Sequence, residues 1–414
     1  MSAHQQLQRR LGTFDATAIG LGSMLGAGVF VVFAPAAALA GQLLALSVVI
    51  AGVVAYCNAV ASAALAAKYP TSGGTYVYGR EQLGQWPGFL AGWGFVTGKT
   101  ASCAAMALTF GSYAWPGYEV PAAVAAVVVL TGVNLLGITR TALLTRILLC
   151  IVLATLAFVA LAAAVGPHPA AGSSGPAVEA SLGGVLPAAG LMFFAFAGYA
   201  RIATLGEEVK DPARAIPRAI IAALAAAFAI YLALSLLLLN HLPGGQLAAT
   251  RTPLLDAVLE SRFEGGAVLV QVGAAAACLG ALLALITGVG RTTMAMARER
   301  DLPSPLAKVG GKHTVPYVAE LAVAAVVILL LLTTDVMTVV GFSSFGVLIY
   351  YAVANASAYT LAVHPGYAPK WLNAVGFAAC LLLAFTLPPA SVLTMVAVLA
   401  AGVAGRWLVL RLRH

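Results

Sequence analysis

The chain has 414 residues, of which 61% are hydrophobic and only 9% are charged. Soluble domains carry about 25% charged residues, and disordered chains combine low hydrophobicity with high charge, so the composition excludes both classes. The formal net charge of +8 would suit a nucleic-acid binder, but in a membrane protein it reflects Lys and Arg in cytoplasmic loops. The sequence therefore predicts an all-α polytopic membrane protein without a nucleic-acid partner.

Twelve segments are long and apolar enough to span a bilayer as helices, which need about 20 such residues each. Their length favours helices over the short alternating strands of a membrane barrel. We expect residues 1–414 to form a single membrane domain. The predicted spans are 13–36, 39–67, 86–114, 119–138, 141–165, 183–205, 214–240, 265–297, 315–332, 336–361, 370–387 and 389–410.

The positive charges indicate the direction of these spans. With both termini in the cytoplasm, the inside segments hold 18 of the 22 Lys and Arg residues, counting Arg291 near the inner end of the eighth span. The outside loops hold only Arg251 and Arg262, while Lys99 and Arg201 lie within spans. Because Lys and Arg accumulate in cytoplasmic loops, the sequence predicts a multi-pass protein of the cytoplasmic membrane with both ends inside.

The sequence carries no pattern typical of a cofactor, a metal or a catalytic site. Its glycine-rich stretches fit neither a P-loop nor a dinucleotide-binding fingerprint. The five cysteines lie singly in apolar stretches without a CxxC pair, which indicates neither a metal site nor a disulfide framework. We therefore predict no cofactor, no metal ligands and no catalytic residues.

The first span contains an unusual run of glycines, at 20, 22, 26 and 28, within AIGLGSMLGAGVF (18–30). A glycine inside a helix costs about 1 kcal/mol relative to alanine. One interpretation is close packing of helices through small residues. The other is a break in the helix, which exposes backbone N–H groups that bind a carboxylate. Both interpretations stay open at this point.

The sixth span combines an aromatic cluster with a single glycine, Gly198, in FFAFAGYAR (193–201). It opens a second set of five spans, as the first span opens the chain. Paired interrupted helices at corresponding positions indicate a transporter built from inverted repeats. The predicted repeats are residues 13–165 and 183–361, and the additional helices cover 370–410.

Four segments carry a resemblance to a known family. They are AIGLGSMLGAGVF (18–30), FFAFAGYARIATLGEEVKDPARAIPRAI (193–220), MARERDLPSPLAKV (296–309) and YPTSGGTYVYGREQLG (69–84). These segments resemble the amino acid–polyamine–organocation (APC) superfamily of permeases, and helix 6 with its loop looks most similar to the cationic amino acid transporter branch. The resemblance implies a LeuT-type fold of 5+5 inverted repeats, with interrupted helices 1 and 6 beside an amino acid site.

By position, the resemblance also implies the substrate contacts. The substrate carboxylate would meet the backbone of helix 1, and the α-amino group would meet carbonyl oxygens of helix 6. Helix N-termini favour anions and C-terminal carbonyls favour cations, which agrees with this assignment. The implied residues are Ser23, Met24, Leu25, Gly26, Ala27 and Gly28 for the carboxylate, Phe194, Ala195 and Ala197 for the amine, and Phe196 and Tyr199 for the pocket wall.

The chain departs from the family pattern at three points. Tyr199 is followed by Ala200 and Arg201, where many relatives of that branch carry an aromatic residue and then Asp, and this disfavours a cationic substrate. The fifth span lacks the lysine of several proton-linked or sodium-independent relatives. Sodium-coupled relatives of this fold use hydroxyl groups on helix 8, but residues 265–286 contain no Ser or Thr, so a sodium ion would lack its usual ligands there and sodium coupling is disfavoured.

Lys99 lies near the middle of the third span, 13 residues after Trp86 and 16 before Trp115. At 1.5 Å per residue it is about 20 Å from either end, too deep for its side chain to reach the interface easily. Removal from water favours the neutral amine of a buried lysine, so Lys99 is a candidate carrier of the coupling proton, or its ammonium substitutes for a sodium ion. The alternative is a fixed structural ammonium bonded to carbonyls of an unwound helix.

Arg201 is the second cation within a span, three residues after Gly198. Asp15, at the inner start of span 1, and Glu207 and Glu208 lie at a similar depth. The resemblance implies that Arg201 and Asp15 form an inner-gate ion pair that breaks when the cavity opens inward. Alternatively, Arg201 serves the membrane interface or binds a substrate carboxylate, because a buried arginine needs a partner.

Together these features predict a secondary transporter that moves an amino acid by alternating access, without sodium, by proton symport or by antiport of amino acids. The alternative within the fold is a polyamine or amine permease, which the scarcity of pocket carboxylates disfavours. An integral-membrane enzyme would need a clustered His, Asp or Cys site, and a channel would need a continuous polar stripe along several spans. The expected partners are the amino acid, the lipid bilayer and, for symport, protons.

Overall fold

The computed structural model describes residues 11–69, 73–135, 141–165, 180–203, 209–242, 244–310 and 315–412. These residues form helices joined by loops. Within these ranges the only extended pairings are two isolated bridges, Leu11 with Val209 and Gly310 with Val315. The predicted all-α architecture is confirmed.

The helices of the first half alternate between long spans and short segments. They are α1 Thr13–Met24, α2 Ala27–Val31, α3 Phe33–Ala40, α4 Leu44–Lys68, α5 Gly74–Leu83, α6 Gln85–Ala114, α7 Glu119–Leu135 and α8 Thr141–Val165. The second half contains α9 Leu182–Phe196, α10 Ala200–Ala203, α11 Pro212–His241, α12 Gly244–Ala249, α13 Pro253–Leu259, α14 Ala267–Arg298, α15 Tyr317–Thr333, α16 Val336–Tyr359, α17 Lys370–Thr386 and α18 Pro389–Leu412.

Eight helical stretches of the described chain are long and apolar enough to cross a membrane. Three shorter apolar helices are α7, α15 and α17, and α6 is 30 residues long with Lys99 near its centre. These helices confirm a polytopic membrane protein, whereas the count of twelve spans and the inverted repeat stay predictions. The eight stretches are Thr13–Val31, Phe33–Lys68, Arg146–Val165, Leu182–Ala203, Pro212–His241, Glu264–Arg298, Thr338–Tyr359 and Pro389–Arg411.

The first span is broken where the glycines predict a break. α1 ends at Met24 and α2 begins at Ala27, so Leu25 and Gly26 lie between two helical segments. Val32 keeps helical backbone angles, with φ −82° and ψ −21°, so α2 continues almost without interruption into α3. The interpretation of a broken helix is thereby confirmed for span 1.

The sixth span is distorted around Gly198. α9 ends at Phe196, a 3-10 turn covers Ala197–Tyr199, and α10 begins at Ala200. Residues 204–208, which belong to the family-like segment 193–220, lie outside the described residues. The interruption of helix 6 therefore takes the form of a tightened turn.

The core of the bundle is made largely of alanine, valine and other small apolar side chains. Small residues allow helix backbones to approach closely in a membrane protein. α6 packs against α14 and α16, and α11 packs against α1 and α4. This arrangement places Lys99 of α6 beside the two interrupted helices.

Candidate functional site

A cavity of about 820 Å³, including its opening to solvent, lies where the two interrupted helices meet. Segments of α1, α2, α6, α9, α10 and α14 supply its walls, together with the turn after α9. The lining residues are Ser23, Met24, Gly28, Phe95, Lys99, Ser102, Met106, Phe194, Ala195, Ala197, Gly198, Arg201, Ala281, Ala284, Leu285, Gly288, Arg291 and Thr292.

The predicted substrate-binding residues divide into two groups by position. One group lines the cavity and the other is buried beside it without lining it. The roles of both groups in substrate binding stay predictions. The lining group is Ser23, Met24, Gly28, Phe194, Ala195 and Ala197, and the other group is Leu25, Gly26, Ala27, Phe196 and Tyr199.

The two breaks pack backbone against backbone, which explains why glycine occupies them. A Cβ atom added to Gly28 would lie 2.7 Å from the Cα of Ala195. A Cβ atom added to Gly198 would lie 2.5 Å from the carbonyl carbon and oxygen of Ser23. Real Cβ atoms essentially never come so close, so both contacts require glycine.

Tyr231 of α11 joins the two breaks through its hydroxyl group. This hydroxyl donates a hydrogen bond to the carbonyl oxygen of Met24 at 2.6 Å. The carbonyl oxygen of Ala195, at 3.2 Å, is a second acceptor for the same proton. Its ring packs edge-on against Phe196, with the centroids 4.9 Å apart. Tyr231 was not among the residues that the sequence predicted for the site; its signal is that it is the one tyrosine of the predicted span 214–240.

Lys99 is buried, with 5% of its surface exposed. Its Nζ donates a hydrogen bond to the carbonyl oxygen of Ala197 at 3.3 Å, in the turn of helix 6. The C-terminal carbonyls of a helix attract cations, so α9 offers the ammonium a favourable partner. This contact joins α6 to interrupted helix 6, and the role of Lys99 stays a prediction.

The two predicted gate residues belong to α1 and α10. Arg201 lines the cavity. Asp15 forms an ion pair with Arg146 of α8 and accepts a hydrogen bond from the backbone N–H of Gly12 at 3.0 Å. The proposed pairing of Arg201 with Asp15 stays a prediction, and in this structure Asp15 is joined to α8.

The two predicted wall residues pack behind the cavity. Phe196 contacts Tyr231, as described above, and Tyr199 packs against Tyr351 of α16 with ring centroids 5.1 Å apart. Both side chains are fully buried. They therefore support the helix 6 turn from behind.

Several lining residues come from α6 and α14 and were not singled out by the sequence. Arg291 is the clearest case, because its charge was attributed to the inside segments, whereas its side chain lines the cavity from α14. Ser102 of α6 lines the same cavity and shares a hydrogen bond of 2.6 Å with Ser343 of α16. Helix phase decides which residues of a span face the cavity.

Comparison with known proteins identifies the chain's relatives. The family model described as amino acid permease matches residues 11–404. An uncharacterized transporter of Mycobacterium tuberculosis is 54% identical over 404 residues, covering 96% of this chain and 91% of the relative. A branched-chain amino acid permease of Bacillus subtilis is 30% identical over 346 residues, covering 77% of this chain and 73% of the relative.

Other relatives carry different names. A methylthioribose transporter of Bacillus subtilis is 30% identical over 340 residues, covering 76% of this chain and 73% of the relative. Cationic amino acid transporters of Arabidopsis thaliana are 27–28% identical over 86–89% of this chain. The relatives are thus named as transporters and permeases, in agreement with the absence of an enzyme motif in the sequence. The chain belongs to the amino acid permease family of multi-pass membrane transporters, within the superfamily that its motifs resemble.

Proposed function

We propose that the protein is a secondary transporter that carries an amino acid across the cytoplasmic membrane by alternating access, with both termini in the cytoplasm. The observation that carries this proposal is the cavity at the junction of two interrupted helices. Irregular backbone inside a membrane persists only beside a cavity or within protein. Such junctions form the substrate sites of transporters with inverted repeats, and we propose the 5+5 arrangement for this chain.

The backbone at the breaks suits both ends of an amino acid. The first N–H groups of the α2–α3 helix, around Ala27 and Gly28, lack partners within their own helix and favour a carboxylate. The carbonyl oxygens of Ala195 and Ala197 each already accept one side-chain donor. Both oxygens lie at or just after the C-terminal end of α9, where carbonyl oxygens favour a cation such as the substrate's ammonium group.

We propose transport without sodium, driven by protons or by exchange. Beside Gly26, α14 presents the methyl group of Ala281 and the backbone oxygen of Ala277, so it offers a sodium ion no hydroxyl ligand there. Lys99 already supplies a positive charge beside the helix 6 turn. We assign the coupling proton to Lys99, because it is the buried amine that contacts the interrupted helix.

The test is uptake into proteoliposomes of radiolabelled amino acids, polyamines and methylthioribose. The interior pH is set above, equal to or below the exterior pH, with and without sodium. We expect saturable, stereoselective uptake of an amino acid that is independent of sodium and accelerated by an inward proton gradient. Uptake that ignores the gradient but requires amino acid inside would mean exchange. Uptake of polyamine or methylthioribose alone would overturn the amino acid assignment.

A further inference from the structure

The cavity is lined by three basic side chains from three different elements. Lys99 belongs to α6, Arg201 to α10 and Arg291 to α14. Among the described residues, no Asp or Glu lines this cavity. Such a wall raises the local concentration of anions and repels cations.

The acidic residue of α15, Glu320, does not line the cavity. Glu320 is fully buried and packs against Gly290, the residue before Arg291. Its carboxyl group interacts electrostatically with Arg291, so it offsets part of one charge. Among the described residues, the charged side chains that line the cavity are all basic, with Lys99 and Arg201 on the other walls.

We infer that the substrate is an acidic amino acid, an amino dicarboxylate, whose second carboxylate binds Arg291. This inference rests on the proposed function and specifies its substrate class. A zwitterionic substrate adds no net charge to the cavity. A cationic substrate adds positive charge beside Lys99, Arg201 and Arg291, whereas an acidic amino acid adds negative charge. The guanidinium group also matches a carboxylate in shape, because it donates two parallel hydrogen bonds.

The position of Arg291 suits this second contact. Ala281 lies against Gly26 at the break of helix 1, and Arg291 follows ten residues later on α14, about 15 Å along the helix axis. Side chains lean toward the N-terminus of their helix, so Arg291 leans back toward the break. A five-carbon amino dicarboxylate with a hydrogen bond of about 3 Å at each end spans roughly 11 Å.

The experiment compares acidic amino acids with their amides in proteoliposomes. L-glutamate and L-aspartate are measured beside L-glutamine, L-asparagine, L-leucine and L-lysine, for the unmodified protein and for Arg291→Gln. Arg291→Lys keeps the charge, and Arg298→Gln removes an exposed arginine from the end of the same helix. Thermal unfolding of the unmodified protein with L-glutamate or L-glutamine measures binding independently of any variant's folding.

We expect glutamate or aspartate to be transported and to stabilise the protein more than the amides do. Arg291→Gln should raise KM for the acidic substrate by about tenfold or more, as expected for a lost hydrogen bond between charged groups. The variant should therefore prefer the acidic amino acid over its amide less strongly than the unmodified protein does. Arg291→Lys should retain part of the preference, and Arg298→Gln should leave it unchanged.

Two results would overturn the inference and leave the proposed function intact. One is transport of neutral or cationic amino acids that glutamate and aspartate neither share nor inhibit. The other is transport of acidic amino acids with the same KM in Arg291→Gln as in the unmodified protein. Absence of transport for every amino acid would instead overturn the proposed function itself.

Discussion

Lys99 is the residue at which the buried charge and the interrupted helix meet. Burying an ammonium group is costly unless it is paired and hydrogen-bonded, and the carbonyl oxygen of Ala197 provides such a partner. That oxygen belongs to the helix 6 turn, which lines the cavity. A change in the charge of Lys99 would therefore alter a contact to the interrupted helix.

Replacing Lys99 by methionine should remove proton coupling, because the side chain then has no titratable group. We expect uptake to lose its acceleration by an inward proton gradient, while counterflow of preloaded amino acid persists. Lys68→Met, at an exposed lysine at the end of α4, is the matched control and should keep the pH response. Full pH-dependent uptake by Lys99→Met would reassign Lys99 as a fixed structural ammonium.

Tyr231→Phe should weaken the contact between the two breaks. The change leaves the carbonyl oxygens of Met24 and Ala195 without the hydroxyl donor, which should cost about 1–3 kcal/mol of unfolding free energy. The midpoint of thermal unfolding and the initial rate of uptake measure the effect, and we expect both to fall. Tyr56→Phe removes the hydroxyl of an exposed tyrosine on α4, and equal losses in the two variants would contradict the role of Tyr231.

At the scale of elements, the interrupted helices depend on glycine at their crossing. Gly198→Ala should push the helix 6 turn away from Ser23, because the new methyl group would lie 2.5 Å from its backbone. Overpacking a tight contact costs about 1–3 kcal/mol, so we expect lower thermal stability and a large loss of uptake. Gly132→Ala on α7 is the control, since nothing lies within 4 Å of its added methyl group.

The sequence predicted the broken helices better than it predicted the lining of the cavity. Four glycines in one span carry a local signal, and the break at Leu25 and Gly26 lies among them. The cavity wall contributed by Arg291 depends on the rotation of α14, where one residue of register changes the face. The contacts of Tyr231 and Asp15 likewise join residues far apart in the chain, which no local pattern records.

At the scale of the whole molecule, a buried carboxylate joins segments that are far apart in the sequence. Asp301, after α14, accepts hydrogen bonds from the hydroxyl of Tyr76 at 2.8 Å, from Arg80 at 2.9 Å and from Arg406 at 2.8 Å. Burial and the bond to Asp301 raise the pKa of Tyr76, so its hydroxyl stays protonated and donates. These four residues form the Asp301 cluster, which ties α5, α14 and α18 together.

Arg406 and Asp301 form a buried ion pair within the Asp301 cluster. Its side chain is only 5% exposed, and that of Asp301 is 3% exposed. The guanidinium also lies 4.4 Å from the ring centre of Trp86 and 5.0 Å from that of Phe89. Removing the partner of a buried charge is strongly destabilising, by about 3–5 kcal/mol, whereas exposed pairs contribute about 0–1 kcal/mol.

Asp301→Asn should therefore lower the stability of the whole bundle without changing substrate affinity. We expect a clear fall in the midpoint of thermal unfolding in detergent, followed by tryptophan fluorescence, and an unchanged KM in proteoliposomes. Glu299→Gln is the matched control. Glu299 also pairs with Arg80, at 3.0 Å, but its side chain is 55% exposed. Its midpoint should hardly move. Equal shifts in the two variants would mean that burial does not distinguish the two carboxylates, and a raised KM in Asp301→Asn would mean that the cluster acts on the cavity.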